Sequence, residues 1–201
     1  MRGRAGQYNT KNVLRKVARS TKFKRASLKN AQRKFDIERD KLVNNFKNHP
    51  VTKEIEGGAG ASNTSNTLGG RGNLFTYIGF VRGSNPVSSI EKILRTSGSV
   101  KPKRKAQASG RGIRQEFIVK GPSEELLMAA SVMPFQNGRS WLFDIETGIS
   151  GFNYYLYKRF IQGRSGRGLQ TKNPVRGGSY RPPSTGYIRR LLNQFYTSFK
   201  K

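Results

Sequence analysis

The sequence predicts an α+β protein, with a long helix near the N-terminus, a closing helix at the C-terminus and strand-like runs between them. Three observations predict it. Apolar residues at three- and four-residue spacing mark both ends as helical. Short β-branched and aromatic runs mark strands in the middle. Long stretches rich in Gly, Asn and Ser separate them. With 201 residues and 34% hydrophobic content there is material for one modest core, and segments that depend on a partner are expected around it.

Taken in order, "MRGRAGQYNT" (1–10) reads as a flexible basic arm. From Lys11 to Lys47 the pattern is helical: Leu28, Ala31, Phe35, Leu42 and Phe46 fall on one stripe, and Lys, Arg and Asn occupy the opposite face. Residues 11–25 are so basic that a bound partner is expected to support this part of the helix. His49-Pro50 ends it, because a residue before proline avoids the helical region. The arm and helix start (1–27) are separated from a single α+β domain (28–201).

The loop "GGAGASNTSNTLGGRGN" (57–73) leads to "LFTYIGF" (74–80), read as a strand buried on both faces. "PVSSIEKILRT" (86–96) reads as a short helix. "SVKPKRKA" (99–106) and "IRQEFIVKG" (113–121) read as two strands of a hairpin joined by the turn-like "QASGRG", with Pro102 limiting the first to an edge. "SEELLMAA" (123–130) is a helical turn or two capped by Ser123. In "GRSWLFDIETG" (138–148), Trp141, Leu142 and Ile145 keep helical spacing and Gly148 is a C-cap candidate. "FNYYLYKRF" (152–160) reads as extended, and 163–184 as a second glycine-rich loop. The final stripe is Ile188, Leu191, Leu192, Phe195 and Phe199, with Thr185 as cap.

Charge dominates the composition. Thirty-nine Lys and Arg face eleven Asp and Glu, a formal +28. All eleven carboxylates lie between Asp36 and Glu146, so both ends of the chain are purely cationic. Self-repulsion on this scale is relieved by a polyanion. The chain has no Cys and only His49, which excludes thiolate chemistry and a His-rich metal site. The basic start is not followed by an apolar signal region, and "LLMAASVMPF" (126–135) is too short to cross a bilayer. No membrane role is expected, and assembly in a cytoplasm is.

"FDIET" (143–147) resembles the first metal-binding motif of proofreading exonucleases. On a strand, Asp144 and Glu146 would point the same way and share a cation. Such enzymes need further carboxylates downstream, and the 55 residues after Glu146 contain none. On a helix, Trp141 and Ile145 would face inward and the two acids would be free to pair with Lys or Arg. The glycine-rich stretches lack the Gly-Lys-Ser/Thr ending of a phosphate loop and the glycine order of a dinucleotide loop. No catalytic residue, metal ligand or cofactor is assigned; the chain is read as no enzyme.

Three basic clusters remain as candidate contacts to nucleic acid or to an acidic protein. They are Arg15, Lys16, Arg19, Lys22, Lys24 and Arg25; then Lys101, Lys103, Arg104 and Lys105; then Arg159, Arg164, Arg167, Lys172 and Arg176. No zinc finger, aromatic ribonucleoprotein motif or helix-turn-helix accompanies them, so backbone contact without sequence reading is expected.

Several stretches together resemble the neck, or tail-completion, proteins of T4-like tailed bacteriophages: "FKNHPVTKEIEGG" (46–58), "LGGRGNLFTYIGF" (68–80), "GRSWLFDIETGISG" (138–151), "GRSGRGLQ" (163–170) and the closing helix. The first thirty residues and the loop at 101–111 lie outside that pattern. The resemblance implies an α+β protomer with a small antiparallel sheet flanked by helices. It implies a homo-oligomeric ring, commonly a hexamer, at the head–tail junction of a virion, between portal or adaptor and tail terminator, around the channel for genomic DNA. The alternative on charge and glycine loops is a ribosomal or other RNA-packing protein.

Overall fold

The computed structural model describes residues 10–68, 72–109, 112–134, 136–147 and 186–200. The fold is α+β: eight α-helices and three separate two-stranded antiparallel ladders are present among these residues. The chain forms two compact units. Unit 1 takes Met1–Glu38 and Gly98–Gly121; unit 2 takes Arg39–Ser97 and Pro122–Lys201. Residues 27 and 28, the expected edge of the basic start, lie inside one continuous helix.

Unit 1 begins with α1 (Thr10–Arg19) and the first part of α2 (Thr21–Asn48). The single helix expected over 11–47 is two, and Ser20 is the reason. Its hydroxyl donates to the Val17 carbonyl at 2.8 Å and accepts the Phe23 N–H at 3.2 Å, closing α1 and capping α2 with one side chain. The expected hairpin follows, but its ladder is split. Strand β1 (Ser99–Pro102) pairs with β4 (Phe117–Lys120), Ser99 opposite Lys120. The stretch read as a turn supplies β2 (Gln107–Ser109) and part of β3 (Gly112–Arg114), which pair beyond the interruption. Pro102 stands at the end of β1, where its missing N–H breaks no ladder bond. Helix α1 packs on β2 and β3. Phe35 and Val100 are the largest buried apolar groups of this unit.

Unit 2 holds most of the core. The C-terminal turns of α2 bury Leu42, Val43 and Phe46. His49 interrupts the helix as expected, but the chain turns straight into α3 (Pro50–Glu56). Pro50 occupies its first turn and His49 Nδ1 accepts the Val51 N–H at 3.3 Å. After a 3₁₀ turn at Gly58–Gly60 comes α4 (Leu74–Ile78). This corrects the strand expected over 74–80. Asn73 caps it by accepting from Thr76 N–H at 2.9 Å, and Gly79 closes it in the left-handed region at φ 82°. Leu74, Phe75 and Ile78 are buried, with Phe75 against Phe80 at a ring distance of 5.4 Å.

Helix α5 (Val87–Thr96) and α6 (Glu124–Ala129) match expectation, the latter capped by Ser123. Strands β5 (Val132–Met133) and β6 (Gln136–Ser140) form the third ladder. Helix α7 (Trp141–Thr147) buries Trp141, Leu142 and Ile145, as their spacing predicts. Trp141 meets Phe80 edge-on at 5.8 Å. Helix α8 (Ile188–Thr197) buries Ile188, Leu191, Leu192 and Phe195; Phe199 lies just past it, half-buried. The readings of Gly148, of 152–160, of 163–184 and of Thr185 lie outside the described residues.

Candidate nucleic-acid interface

The acidic motif is a structural device. In α7, residues two apart diverge by about 200°, so Asp144 and Glu146 do not converge on one cation. Each is 5% exposed and already engaged. Asp144 takes a bidentate grip from Arg139, Nε to Oδ2 at 2.7 Å and Nη2 to Oδ1 at 3.0 Å. Glu146 departs from expectation: its partners are backbone groups, not Lys or Arg side chains. Its Oε1 accepts the N–H of Ile188 and, at 3.1 Å, that of Arg189. It therefore caps α8 from 42 residues away, where Tyr187 at the N-cap position offers no side-chain bond. Burial pushes the Glu146 carboxyl above its usual range, and the two backbone N–H groups pull against that shift.

A second buried carboxylate, missed in the sequence, does the same job. Glu54 is 1% exposed. Its Oε1 accepts from Leu74 N–H at 2.7 Å, the first amide of α4, and its Oε2 from Ser65 N–H at 2.9 Å. The only clue was an acid inside "VTKEIEGG", on the face shared with Val51 and Ile55. Among the described residues no three His, Cys, Asp or Glu side chains gather at metal-binding distances, and no helix is long and apolar enough to cross a membrane.

The cations are distributed very differently. Unit 1 carries nineteen of the Lys and Arg residues and only Asp36, Glu38 and Glu116 as acids. It collects the first two basic clusters. Arg15, Lys16 and Arg19 are exposed on α1, and Lys22, Lys24 and Arg25 on α2. Lys101, Lys103, Arg104 and Lys105 are exposed at the interruption of the hairpin. There Glu116 pairs loosely with Lys103 at 3.7 Å and Arg114 at 3.4 Å, contacts worth little in water. The third cluster, Arg159, Arg164, Arg167, Lys172 and Arg176, lies outside the described residues.

The structure adds residues that cluster reading overlooked. Lys22, Arg25, Lys29 and Arg33 follow one another at three, four and four positions along α2 and are all exposed. That spacing puts them on one stripe of the helix. The stripe is legible in the sequence, where Lys29 and Arg33 belong to the polar face of the helical pattern. Compared with protein-family models, curated proteins and solved structures, the chain finds no match in any of the three.

Proposed function

We propose that the chain is a virion structural protein that forms a ring at the head–tail junction of a tailed phage, joining portal or adaptor to tail and surrounding the DNA channel. In this reading it performs no reaction, and its protomer sets small antiparallel ladders between helices. One observation carries the reading. The described parts of the stretches that resemble the neck proteins fall in unit 2, where two buried carboxylates tie them in pairs. Glu54 in 46–58 holds Leu74 in 68–80, and Glu146 in 138–151 holds Ile188 of the closing helix. The described stretches that carry the resemblance thus share one compact unit. The segments outside it, the basic start and the 101–111 loop, belong to unit 1.

The excess of cations over acids in unit 1 equally suits an RNA-packing protein, which is the second reading. Electron microscopy of the purified full chain, alone and with portal and tail-terminator proteins, separates the two. The neck reading expects closed rings of one order that join those partners. A monomer that sediments with ribosomes and leaves them only at high salt would replace it by the RNA-packing reading.

A further inference from the structure

We propose that unit 1 is a phosphodiester-backbone binding module whose principal contact is the α2 stripe Lys22, Arg25, Lys29 and Arg33. The inference names the partner class of the basic unit; it rests on the neck reading only for the choice of duplex DNA over RNA.

The stripe has three properties that a polyphosphate partner requires. It is open: among the described residues no Asp or Glu side chain pairs with any of the four, although Asp36 and Glu38 follow on the same helix. It is regular: at 1.5 Å rise per residue it runs roughly 16 Å, the axial length of about five phosphates on one strand of a duplex. It lies on a part of α2 that belongs to unit 1, where nineteen cations face three acids, so the unit presents a concentrated positive field to any polyanion.

An acidic protein is the competing occupant, and the stripe fits it less well. A stable protein interface needs an apolar centre within a polar rim. The stripe has no apolar member and stands about 80–160° around the helix from buried Phe35. Four long side chains around a helix ridge reach phosphates without a dry core, the ordinary arrangement for positioning contacts that carry no sequence information. The exposed hairpin cations Lys101, Arg104 and Lys105 provide a second, separate set on the same unit.

The test uses the full chain and two variants. One replaces Lys22, Arg25, Lys29 and Arg33 by Gln; the other replaces Lys101, Arg104 and Lys105 by Gln. Gln has nearly the helix propensity of Lys and Arg, and all the sites are exposed, so circular dichroism should report unchanged helix content. Affinity for a random-sequence DNA duplex, an RNA duplex and an acidic polypeptide of equal charge is measured from 50 to 200 mM salt. Each lost phosphate contact lowers the slope of log K against log salt by about 0.9 on B-DNA. The stripe variant should therefore lose a slope of roughly 3–4, about two orders of magnitude of salt sensitivity over that range. A folded stripe variant with the wild-type slope overturns the proposal, as does a wild-type preference for the acidic polypeptide. Binding confined to the RNA duplex upholds the backbone contact and tells against the neck reading instead.

Discussion

Glu54 holds the first amide of a helix twenty residues further along the chain: its Oε1 accepts the Leu74 N–H at 2.7 Å. The other oxygen holds Ser65 N–H at 2.9 Å, so one side chain satisfies two donors in the long glycine-rich connection. Glu54→Ala leaves both donors without that partner, a loss of about 2–4 kcal/mol at one to two per group. Glu54→Gln keeps one acceptor and turns an NH₂ towards the other donor, so it should fall between wild type and alanine. Urea denaturation measures all three. A glutamine variant as stable as wild type would show that the two bonds are not both needed.

Tyr187 and Thr52 form a second tie from the same helix, α3, to the start of α8. Their hydroxyls lie 2.5 Å apart, both residues fully buried, with Tyr187 stacked on Phe46 at 5.8 Å and against His49 at 4.5 Å. Burial pushes the Tyr187 phenol far above its usual range, so the hydroxyl stays neutral throughout the accessible pH range. Tyr187→Phe should cost about 1–2 kcal/mol, because the Thr52 hydroxyl is left buried and alone. Thr52→Val should cost a similar amount for the matching reason. In the double variant neither orphan remains, so the two costs should not add; strict additivity would mean that the bond contributes nothing.

The contrast between what was legible and what was not follows from where the deciding interactions lie. The stripe through Phe35, Leu42 and Phe46, though not its first member Leu28, which is exposed, and the core face of Trp141, Leu142 and Ile145 were legible because period fixes them. The segment 74–80 was misread because its β-branched and aromatic residues favour a strand locally. Asn73, Gly79 and the distant Glu54 decide for a helix. Glu146 was misread for the same reason at longer range: its partners lie 42 and 43 residues away. Ser20 was passed over because a serine inside a helical pattern carries no mark of whether its hydroxyl faces out or caps the next helix.

Gly98 is a position where only glycine fits unit 1. Its φ is +123°, which other residues adopt only with strain, and an added Cβ would stand 2.5 Å from Phe35 Cζ and 2.8 Å from the Lys120 carbonyl oxygen. Both objections act together at the point where β1 begins against Phe35. Gly98→Ala should destabilise unit 1 by about 2 kcal/mol or more, the strain alone being of order 1–3. Hydrogen exchange read separately in the two units tests this. Protection should fall in β1 and β4 and stay unchanged in α4 and α7. Unchanged protection in β1 would mean that the strand start adjusts without cost.

Glu146 gives the fold a pH dependence whose sign can be worked out. Its folded carboxyl titrates above the unfolded value of 4.5, chiefly because it is buried; the Arg189 and Ile188 amides and the Arg189 charge oppose the shift, and the Glu124 charge adds to it. A raised folded value means the native state holds the proton more tightly than the unfolded chain. The contribution is fully present below pH 4.5 and is lost as pH rises through the folded value. His49 runs the other way. Burial, then the Arg190 charge, lowers it below 6.5, so its contribution is present above that pH and is lost as pH falls. The two act in opposite directions, so a variant that removes one of them is needed. Glu146→Gln retains an acceptor for the Ile188 and Arg189 amides but cannot titrate. Relative to this variant, wild type should lose stability steadily as pH is raised from 4.5, while the His49 effect cancels in the difference. Parallel stability curves for the two proteins would mean that the Glu146 carboxyl titrates alike in the folded and unfolded chain, and that the helix cap carries no burial cost.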